Sequence, residues 1–457
     1  FLERAVALTP DAAERAALAL VAADAKYAAG GFVAAQALLV TAEVGPLPEL
    51  GQARIVRMRA EIAFALRRGS DAPPLLLQAA QRLADLDPEL ARRTYIEAMV
   101  ASVYAGRLGR GPDPAELARA AQLAAEDSVQ GDPGPGQAGP LPHARLLLRG
   151  LALRLSDGYR AAAPLLKEAL VGYRAQPQEL DWLCVSYNMV AMDLWDDQAW
   201  FELAAGQVRQ ARTSGTLSWL PFALDYLAEL HTQAGELSQA AALLAEGERI
   251  DPGIRAATLP YVPLLLAAWR GDAQAADELA GELALGAANR GEGAALTYAD
   301  YATAVLNNGL GRYELAADAA QRASAAQELV ISPWALYELT EAAARGNQPD
   351  RAAAAAGRLA GIAEASGTSW ARGAAARSRA LVAAGPGAEL AYQEAIELLE
   401  QTRMATHAAR VRLSYGEWLR RENRRIDARR QLRLAFDALT AMGVQAFAER
   451  ARRELQA

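Results

Sequence analysis

Alanine- and leucine-rich stretches run along this chain, and each ends at a glycine or another turn residue before the pattern resumes. Two examples are AGGFVAAQALLVTAE, from Ala29 to Glu43, and AGELSQAAALLAEG, from Ala234 to Gly247. Alanine and leucine are strong helix formers, whereas the β-branched and aromatic residues that favour strands are sparse. The pattern therefore predicts an all-α fold in which short turns join the helices.

The turn residues recur at a nearly constant interval. Successive members are 35 to 40 residues apart, with one interval of 49: Gly30, Gly69, Gly109, Gly158, Asp197, Gly235, Gly271, Gly311, Gly346, Gly385 and Asn423. A period near 39 is typical of a helical-hairpin solenoid, with a unit longer than the roughly 34 residues of a tetratricopeptide repeat. We predict a right-handed solenoid of about 11 tetratricopeptide-like hairpins, with a C-terminal capping helix from Val444 to Gln456.

We predict one solenoid domain over residues 1–457, with a loop insertion at 131–142 that accounts for the long interval. This insertion, GDPGPGQAGPLP, contains the dinucleotide-binding pattern G-x-G-x-x-G as GPGQAG. A dinucleotide site needs a strand before this pattern and a helix N-terminus that receives the pyrophosphate, whereas here the pattern lies among prolines between predicted helices, so we do not expect a nucleotide site. The chain begins with Phe1 rather than Met, so we expect it to be part of a longer polypeptide.

Residues that would carry catalysis or bind a metal are few and scattered. Neither Lys26 nor Lys167 follows the glycine spacing of a phosphate-binding loop, so we expect no nucleotide cofactor in this chain. None of the three histidines has a second ligand at metal-binding spacing: His143, His231 and His407. We therefore predict no catalytic residue, no metal site and no enzyme activity.

The only cysteine is Cys184, so no intramolecular disulfide can form, and a reducing cytoplasm is the expected location. No apolar run approaches the roughly 20 residues that span a bilayer, so we expect no membrane partner.

Charge is distributed unevenly along the chain. The net charge is −7, yet the segment from Arg403 to Ala457 holds 13 arginines and 6 carboxylates, giving it +7. These arginines are either solvated and paired with Glu417, Glu422 and Asp427, or they form a docking face for a neighbouring domain or for DNA phosphates. The docking candidates are Arg420, Arg421, Arg424 and Arg425. No helix-turn-helix follows in this chain, so we expect no sequence-specific DNA binding by it.

Aromatic residues are concentrated in the second part of the chain. All eight tryptophans lie beyond residue 181, and five consecutive units place a tyrosine nine or ten residues before the turn: Tyr187, Tyr226, Tyr261, Tyr301 and Tyr337. Such a ladder either lines the concave groove or fills gaps between helices inside the solenoid. In the first case it forms a ligand or peptide channel together with flanking tryptophans: Trp182, Trp219, Trp334 and Trp370.

Four segments of the chain resemble the large ATP-binding regulators of the LuxR class from actinobacteria. They are Leu217–Leu244, Leu264–Gly271, Val305–Ser324 and, most specifically, Leu413–Ala457 with the sequence LSYGEWLRRENRRIDARRQLRLAFDALTAMGVQAFAERARRELQA. Members of that family combine an N-terminal ATPase, a long tetratricopeptide-like middle region and a C-terminal helix-turn-helix domain. This chain is similar to the middle region only, and it has neither the ATPase nor the helix-turn-helix domain.

The resemblance implies the sensor and coupling segment of a transcriptional regulator. A small-molecule inducer or a partner would bind in the concave groove, with the aromatic-rich part from Trp182 to Trp370 as the sensing half. ATP would bind only in the missing N-terminal domain, and the segment's partners would include the ATPase and DNA-binding domains of its own polypeptide. The alternative is a protein–protein interaction scaffold with no small-molecule ligand.

Overall fold

The computed structural model describes residues 1–67, 69, 71–111, 113–127, 142–175, 182–217, 219–250, 259–326 and 328–456. Within these ranges the chain forms 24 α-helices and one short 3₁₀ segment, Gly106–Leu108, and no strand. The all-α prediction is therefore confirmed. The predicted insertion at 131–142 lies outside the described residues, apart from Pro142, where a helix begins.

The helices form hairpins in chain order. The first helix is α1 (Leu2–Leu8). Hairpins 1 to 3 follow as α2–α3 (Ala12–Ala28, Phe32–Val44), α4–α5 (Glu49–Arg67, Ala72–Leu83) and α6–α7 (Pro88–Ala105, Pro114–Asp127). Hairpins 4 to 6 are α8–α9 (Pro142–Ser156, Tyr159–Ala175), α10–α11 (Trp182–Asp193, Asp197–Ser214) and α12–α13 (Leu220–Ala234, Leu237–Gly247). Hairpins 7 to 9 are α14–α15 (Tyr261–Arg270, Ala273–Arg290), α16–α17 (Gly293–Leu310, Tyr313–Ala325) and α18–α19 (Ile331–Arg345, Pro349–Ser366). Hairpins 10 and 11 are α20–α21 (Ser369–Val382, Pro386–Leu399) and α22–α23 (Ala405–Arg421, Arg425–Met442). The final helix, α24, is Gln445–Gln456. Over the described residues, the prediction of about eleven hairpins and a terminal helix is confirmed.

Ten of the eleven predicted turn residues lie between the two helices of a hairpin, and the exception is Asp197. There Trp195 adopts the positive φ of 57°, Asp196 caps α11 by accepting a hydrogen bond from the Ala199 N–H at 2.9 Å, and Asp197 is already helical. Glycine is needed at turns such as Gly235, whose φ is 85°, because other residues rarely adopt this conformation. Seven of the eleven predicted residues adopt positive φ: Gly30, Gly158, Gly235, Gly271, Gly311, Gly385 and Asn423. The periodicity located these turns because each needs a local backbone conformation that favours glycine or asparagine.

Contacts between distant hairpins close the solenoid on itself. Hairpin 2 meets hairpin 7, hairpin 3 meets hairpin 8, and so on at an offset of five, which indicates about five hairpins per superhelical turn. Lys167 Nζ of hairpin 4 donates to the Ala365 carbonyl of hairpin 9 at 2.7 Å, and Ser366 Oγ donates to the Leu194 carbonyl at 2.5 Å. A Cβ on Gly293 would lie 2.4 Å from the Ala105 carbonyl oxygen, so backbones of successive turns touch.

The hydrophobic core follows this closure. One cluster of buried side chains extends from Ala60 in α4 to Ala451 in α24, and a separate cluster from Val6 to Ala65 holds the N-terminal helices. Helix α24 seals the end of the large cluster with Phe447, which is fully buried and lies with its ring 5.8 Å from that of Trp269. The capping helix is therefore an integral part of the packed core.

Candidate ligand cavity and its surroundings

The five tyrosines of the ladder all lie in the first helix of their hairpins, but they do not share one environment. Tyr187, Tyr301 and Tyr337 are at most 2% exposed, whereas Tyr226 and Tyr261 are half-buried. Tyr301 accepts a hydrogen bond from Gln233 Nε2 at 2.9 Å inside the core. Three members of the ladder therefore fill space between helices, and two reach a cavity.

The tryptophans named with the ladder also lie in different places. Trp334 and Trp370 are buried, with ring centres 5.7 Å apart, and they pack against two residues that the sequence did not single out, Trp195 and Trp200. Trp219 lies apart, beside Phe222 at 5.9 Å, and the side chain of Trp182 lies outside the described residues. The four clustered tryptophans come from hairpins 5, 9 and 10, so they hold successive turns of the superhelix together.

The half-buried tyrosines line a cavity of about 110 Å³ between hairpins 3, 5, 6, 7 and 8 and the turn before α18. Most of its wall is apolar or aromatic, which is typical of small-molecule sites. Its tyrosine and carboxyl lining residues are Tyr104, Asp225, Tyr226, Glu229, Tyr261, Tyr298 and Glu328. Because hairpin 3 and hairpin 8 belong to successive superhelical turns, the cavity exists only in the closed solenoid.

Hydrogen bonds fix the tyrosine hydroxyls around the cavity. The hydroxyl oxygens of Tyr104 and Tyr226 lie 3.0 Å apart, and Tyr298 donates to Glu229 Oε1 at 3.0 Å. Tyr261 donates to Glu292 Oε1 at 2.5 Å, and its ring meets that of Tyr298 edge to face at 5.0 Å. The aromatic wall is therefore preorganised before any ligand binds.

Two buried carboxyl groups have strongly altered acidity. Burial raises the pKa of Glu229 to about 8, against the opposing effect of the hydrogen bond from Tyr298. Burial also raises the pKa of Glu328 to about 7, although Thr297 donates to its Oε1 at 3.0 Å and Arg107 acts in the opposite direction. Glu328 Oε2 has no hydrogen-bond partner, and Glu328 is only 9% exposed. Near neutral pH Glu229 is therefore mainly protonated, and Glu328 is divided between its protonated and ionised forms, unless something stabilises the ionised form.

A strained turn forms one wall of the cavity. Val330 has φ 67° and ψ −68°, and the Ile331 N–H donates to the Leu329 carbonyl at 2.7 Å, which closes a γ-turn. A β-branched residue at positive φ costs about 1–3 kcal/mol. The Val330 N–H donates to the buried carboxylate of Asp193 at 2.9 Å, and Arg154 pairs with the same carboxylate at 2.8 Å. This pair holds the strained turn against the cavity.

A second, larger cavity of about 660 Å³ lies on the other side of that turn. Its wall is more polar and includes Arg107, Arg154 and Arg358, and Glu328 lines both cavities. Each of these arginines has a partner within the protein: Arg107 pairs with Asp300 at 2.8 Å, and Arg358 donates to the Ser324 carbonyl at 3.1 Å. The volume of this cavity would admit part of a polypeptide segment.

The four arginines proposed for domain docking lie around the turn between α22 and α23. Arg421, Arg424 and Arg425 are exposed, and Arg420 is partly buried. Arg420 pairs with Glu454 at 2.9 Å, while Arg424 pairs with Glu389 at 2.6 Å and with Asp427 at 2.8 Å. Part of this basic surface is therefore neutralised by its own helices, whereas Arg421 and Arg425 present their charge to solvent.

A buried ion network, which sequence reasoning missed, holds the C-terminal hairpins and α24 together. Glu341 accepts hydrogen bonds from Arg377 and Arg410 at 2.5 Å each and from Arg450 of α24 at 2.7 Å. The remaining members are two more carboxylates and one more arginine: Glu338, Glu417 and Arg345. Burial alone would raise the pKa of Glu341, but the three guanidinium groups lower it well below its usual value.

Within the described residues, no group of three or more histidine, cysteine, aspartate or glutamate side chains is placed to hold a metal ion. The same residues include no helix both long and apolar enough to cross a membrane. His407 is buried between the rings of Tyr337, Trp370 and Trp269, and its role is packing.

Comparison with known proteins does not assign this chain to a family. No family model and no curated protein matches it. Among solved structures, a Rap protein complexed with competence and sporulation factor is similar at 13% identity and a TM-score of 0.47, over 77% of this chain and 98% of that chain. A Cut9–Hcn1 hetero-tetramer of the APC/C is similar at 12% identity and a TM-score of 0.39, over 100% of this chain and 91% of that chain.

Proposed function

We propose that this chain is a ligand-sensing segment of a LuxR-class transcriptional regulator and that its ligand is a small molecule bound in the 110 Å³ cavity. The observation that carries the proposal is the convergence, in one largely apolar cavity, of Tyr226, Tyr261 and the unpartnered carboxylate oxygen of Glu328. A few polar groups in an apolar enclosure are what ligand sites use to fix orientation. Helical-repeat solenoids are in general scaffolds for protein interactions, and the sensing role is an addition to that general role.

One helix supports the proposed coupling. Helix α16 lines the cavity with Ala294 and Tyr298, and at its other end it meets the capping helix. Arg450 Nη1 of α24 donates to the Asn308 carbonyl at 3.3 Å. A ligand that displaces α16 therefore acts on the C-terminal helix, beyond which a DNA-binding domain would follow in the proposed regulator.

The test is the thermal midpoint of the chain against a library of metabolites and nucleotides. A ligand at 100 times its dissociation constant stabilises the fold by about 2.7 kcal/mol. We expect at least one compound to raise the midpoint of the parent and to lose its effect in Tyr226→Ala and Tyr261→Ala. Tyr313→Ala, a partly buried tyrosine outside the cavity lining, is the matched control and should respond like the parent. Silence across the library refutes the small-molecule role.

The second candidate is a protein-binding scaffold, and the polar 660 Å³ cavity favours it. Its ligand would be a segment of a partner or of a neighbouring domain of the same polypeptide. Cross-linking in the full-length protein from a cysteine introduced at Arg358 distinguishes the two roles. Links to another domain that persist when the small-molecule cavity is filled would support the scaffold.

A further inference from the structure

The smaller cavity has an unbalanced set of polar groups. Its described lining contains three carboxyl side chains, from Asp225, Glu229 and Glu328, and no lysine, arginine or histidine. The charge of Arg107 lowers the pKa of Glu328, but the Arg107 guanidinium pairs with Asp300 at 2.8 Å. Glu229 and Glu328 therefore face a cavity whose described lining contains no cationic side chain.

One oxygen atom of these carboxyl groups is buried and accepts no hydrogen bond. Glu328 is 9% exposed, its Oε1 accepts from Thr297, and its Oε2 has no partner. A buried polar atom without a partner costs about 1–3 kcal/mol, and more when it is charged. An N–H donor on a ligand would remove this cost, whereas an anionic ligand or a pure acceptor would increase it.

The aromatic wall favours the same ligand chemistry. Four tyrosine rings line the cavity, and those of Tyr261 and Tyr298 are held edge to face at 5.0 Å. The negative face of an aromatic ring attracts a cation, by about 2 kcal/mol or more where water is excluded. Apolar lining residues such as Met189 and Phe222 would accommodate a hydrocarbon body.

We propose that the cavity binds a protonated amine carried on a small apolar or aromatic body, with its ammonium group between Glu229 and Glu328 and its body against the tyrosine rings. This inference rests on the proposed function and specifies its ligand class. Ammonium N–H groups donate to the two carboxylates, and the body replaces water in the rest of the cavity. A carboxyl group that is neutral in the empty cavity releases its proton to the solvent when the amine binds, because a nearby cation favours the ionised form.

The experiment measures dissociation constants by calorimetry at pH 8 for n-butylamine, benzylamine and 2-phenylethylamine. Each amine is paired with the alcohol in which a hydroxyl replaces the ammonium group. We expect the best amine to bind at least 10-fold more tightly than its alcohol. Glu229→Gln and Glu328→Gln should each weaken that amine at least 10-fold, because each removes one carboxylate at nearly constant volume.

Two further variants control for charge and for location. Glu282→Gln removes an exposed carboxylate of α15 and should leave amine binding unchanged. Ala294→Leu adds side-chain atoms to the cavity wall without changing a charge and should abolish binding. This variant also tests the site if a glutamine variant fails to fold.

The outcomes separate this inference from the proposed function. Alcohols that bind as tightly as their amines, or glutamine variants that bind amines like the parent, overturn the amine assignment. If no amine binds but a library compound loses its effect in Ala294→Leu, the sensing role stands and the ligand class is wrong. If neither an amine nor any library compound binds, both proposals are wrong.

Discussion

The buried ion network gives the sharpest test of how this solenoid is held together. The perturbation is Glu341→Gln, which keeps the side-chain volume and removes the charge that Arg377, Arg410 and Arg450 share. Glu341 is 1% exposed, so water does not replace the lost partner. The amide oxygen still accepts a hydrogen bond. The four arginines of the network are then left with only two carboxylates of the network, Glu338 and Glu417, to balance their charge.

The expected cost follows from this burial. Breaking a buried ion pair by removing one partner costs about 3–5 kcal/mol, because an uncompensated charge stays in the interior. Glu394→Gln is the matched control, since Glu394 pairs with Arg379 on the surface, where the two side chains are 44% and 55% exposed. An exposed pair contributes about 0–1 kcal/mol. The two variants remove the same charge and differ in burial.

The assay is urea unfolding followed by circular dichroism, combined with hydrogen exchange of the α24 backbone amides. Exchange is needed because repeat arrays do not always unfold in a single step. We expect Glu341→Gln to lower the unfolding midpoint and to release α24 first, since Arg450 joins that helix to Glu341. If Glu341→Gln costs no more than Glu394→Gln, the network does not hold the C-terminal end.

The pH dependence of this difference has a definite sign. The pKa of Glu341 is well below its usual value in the folded protein, so its contribution is complete above the unfolded pKa of about 4.3 and is lost as the pH falls through the lower folded value. The difference between the parent and Glu341→Gln should therefore be constant near neutral pH and shrink only in strong acid.

Three other predictions concern single buried side chains. Because burial raises the pKa of Glu229 to about 8, the folded protein keeps a proton that the unfolded chain releases near pH 4, so the free energy of unfolding falls as the pH rises between these values. Glu229→Gln should remove roughly 3–5 kcal/mol of that fall in urea titrations from pH 5 to pH 9. An unchanged pH profile would contradict the burial argument. Burial and the charges of Arg410 and Arg377 lower the pKa of His407 well below its usual value, so stability should decrease as the pH falls below about 6.5. In thermal melts, His407→Phe should flatten that decrease. A profile parallel to that of the parent would show that the pKa of His407 is not lowered. Trp370→Ala should cost about 3–5 kcal/mol in urea unfolding, since its ring lies 4.9 Å from that of Trp195 in the preceding superhelical turn, and a cost below 1 kcal/mol would mean that the tryptophan cluster does not join the turns.

The hairpins could be predicted from sequence because their signals are local. Gly235 and Gly271 adopt left-handed backbone conformations that other residues rarely adopt, and such positions repeat with the hairpin. The one displaced turn, at Asp197, is explained by Trp195, a bulky residue at positive φ that no turn pattern anticipates. Periodicity therefore gives hairpin number and turn position to within a residue or two.

The closure of the solenoid could not be predicted in this way, since it depends on small rotations between neighbouring hairpins. The tyrosine ladder pointed to Tyr226 and Tyr261 at the cavity but did not distinguish them from Tyr301, which is buried against Gln233 and Trp334. Glu229 and Glu328 resemble ordinary solvated carboxylates in the sequence, and only closure buries them. Tyr298 lies three residues before Tyr301 in the sequence, and this local spacing could have indicated a further tyrosine of the cavity.

The magnitudes of these interactions constrain how sensing would reach the C-terminal end in the proposed regulator. About 15 Å of α16 separates Tyr298 at the cavity from Asn308 at the capping helix, and a helix transmits displacement over that length. A ligand that prefers one state by 10-fold to 100-fold supplies about 1.4–2.7 kcal/mol. Removing a single charge from the ion network that holds α24 costs about 3–5 kcal/mol. Ligand binding is thus too weak to detach α24, and the coupling that fits these energies is a shift of α24 together with its network. The signal would then be a changed position of the C-terminal helix rather than its release.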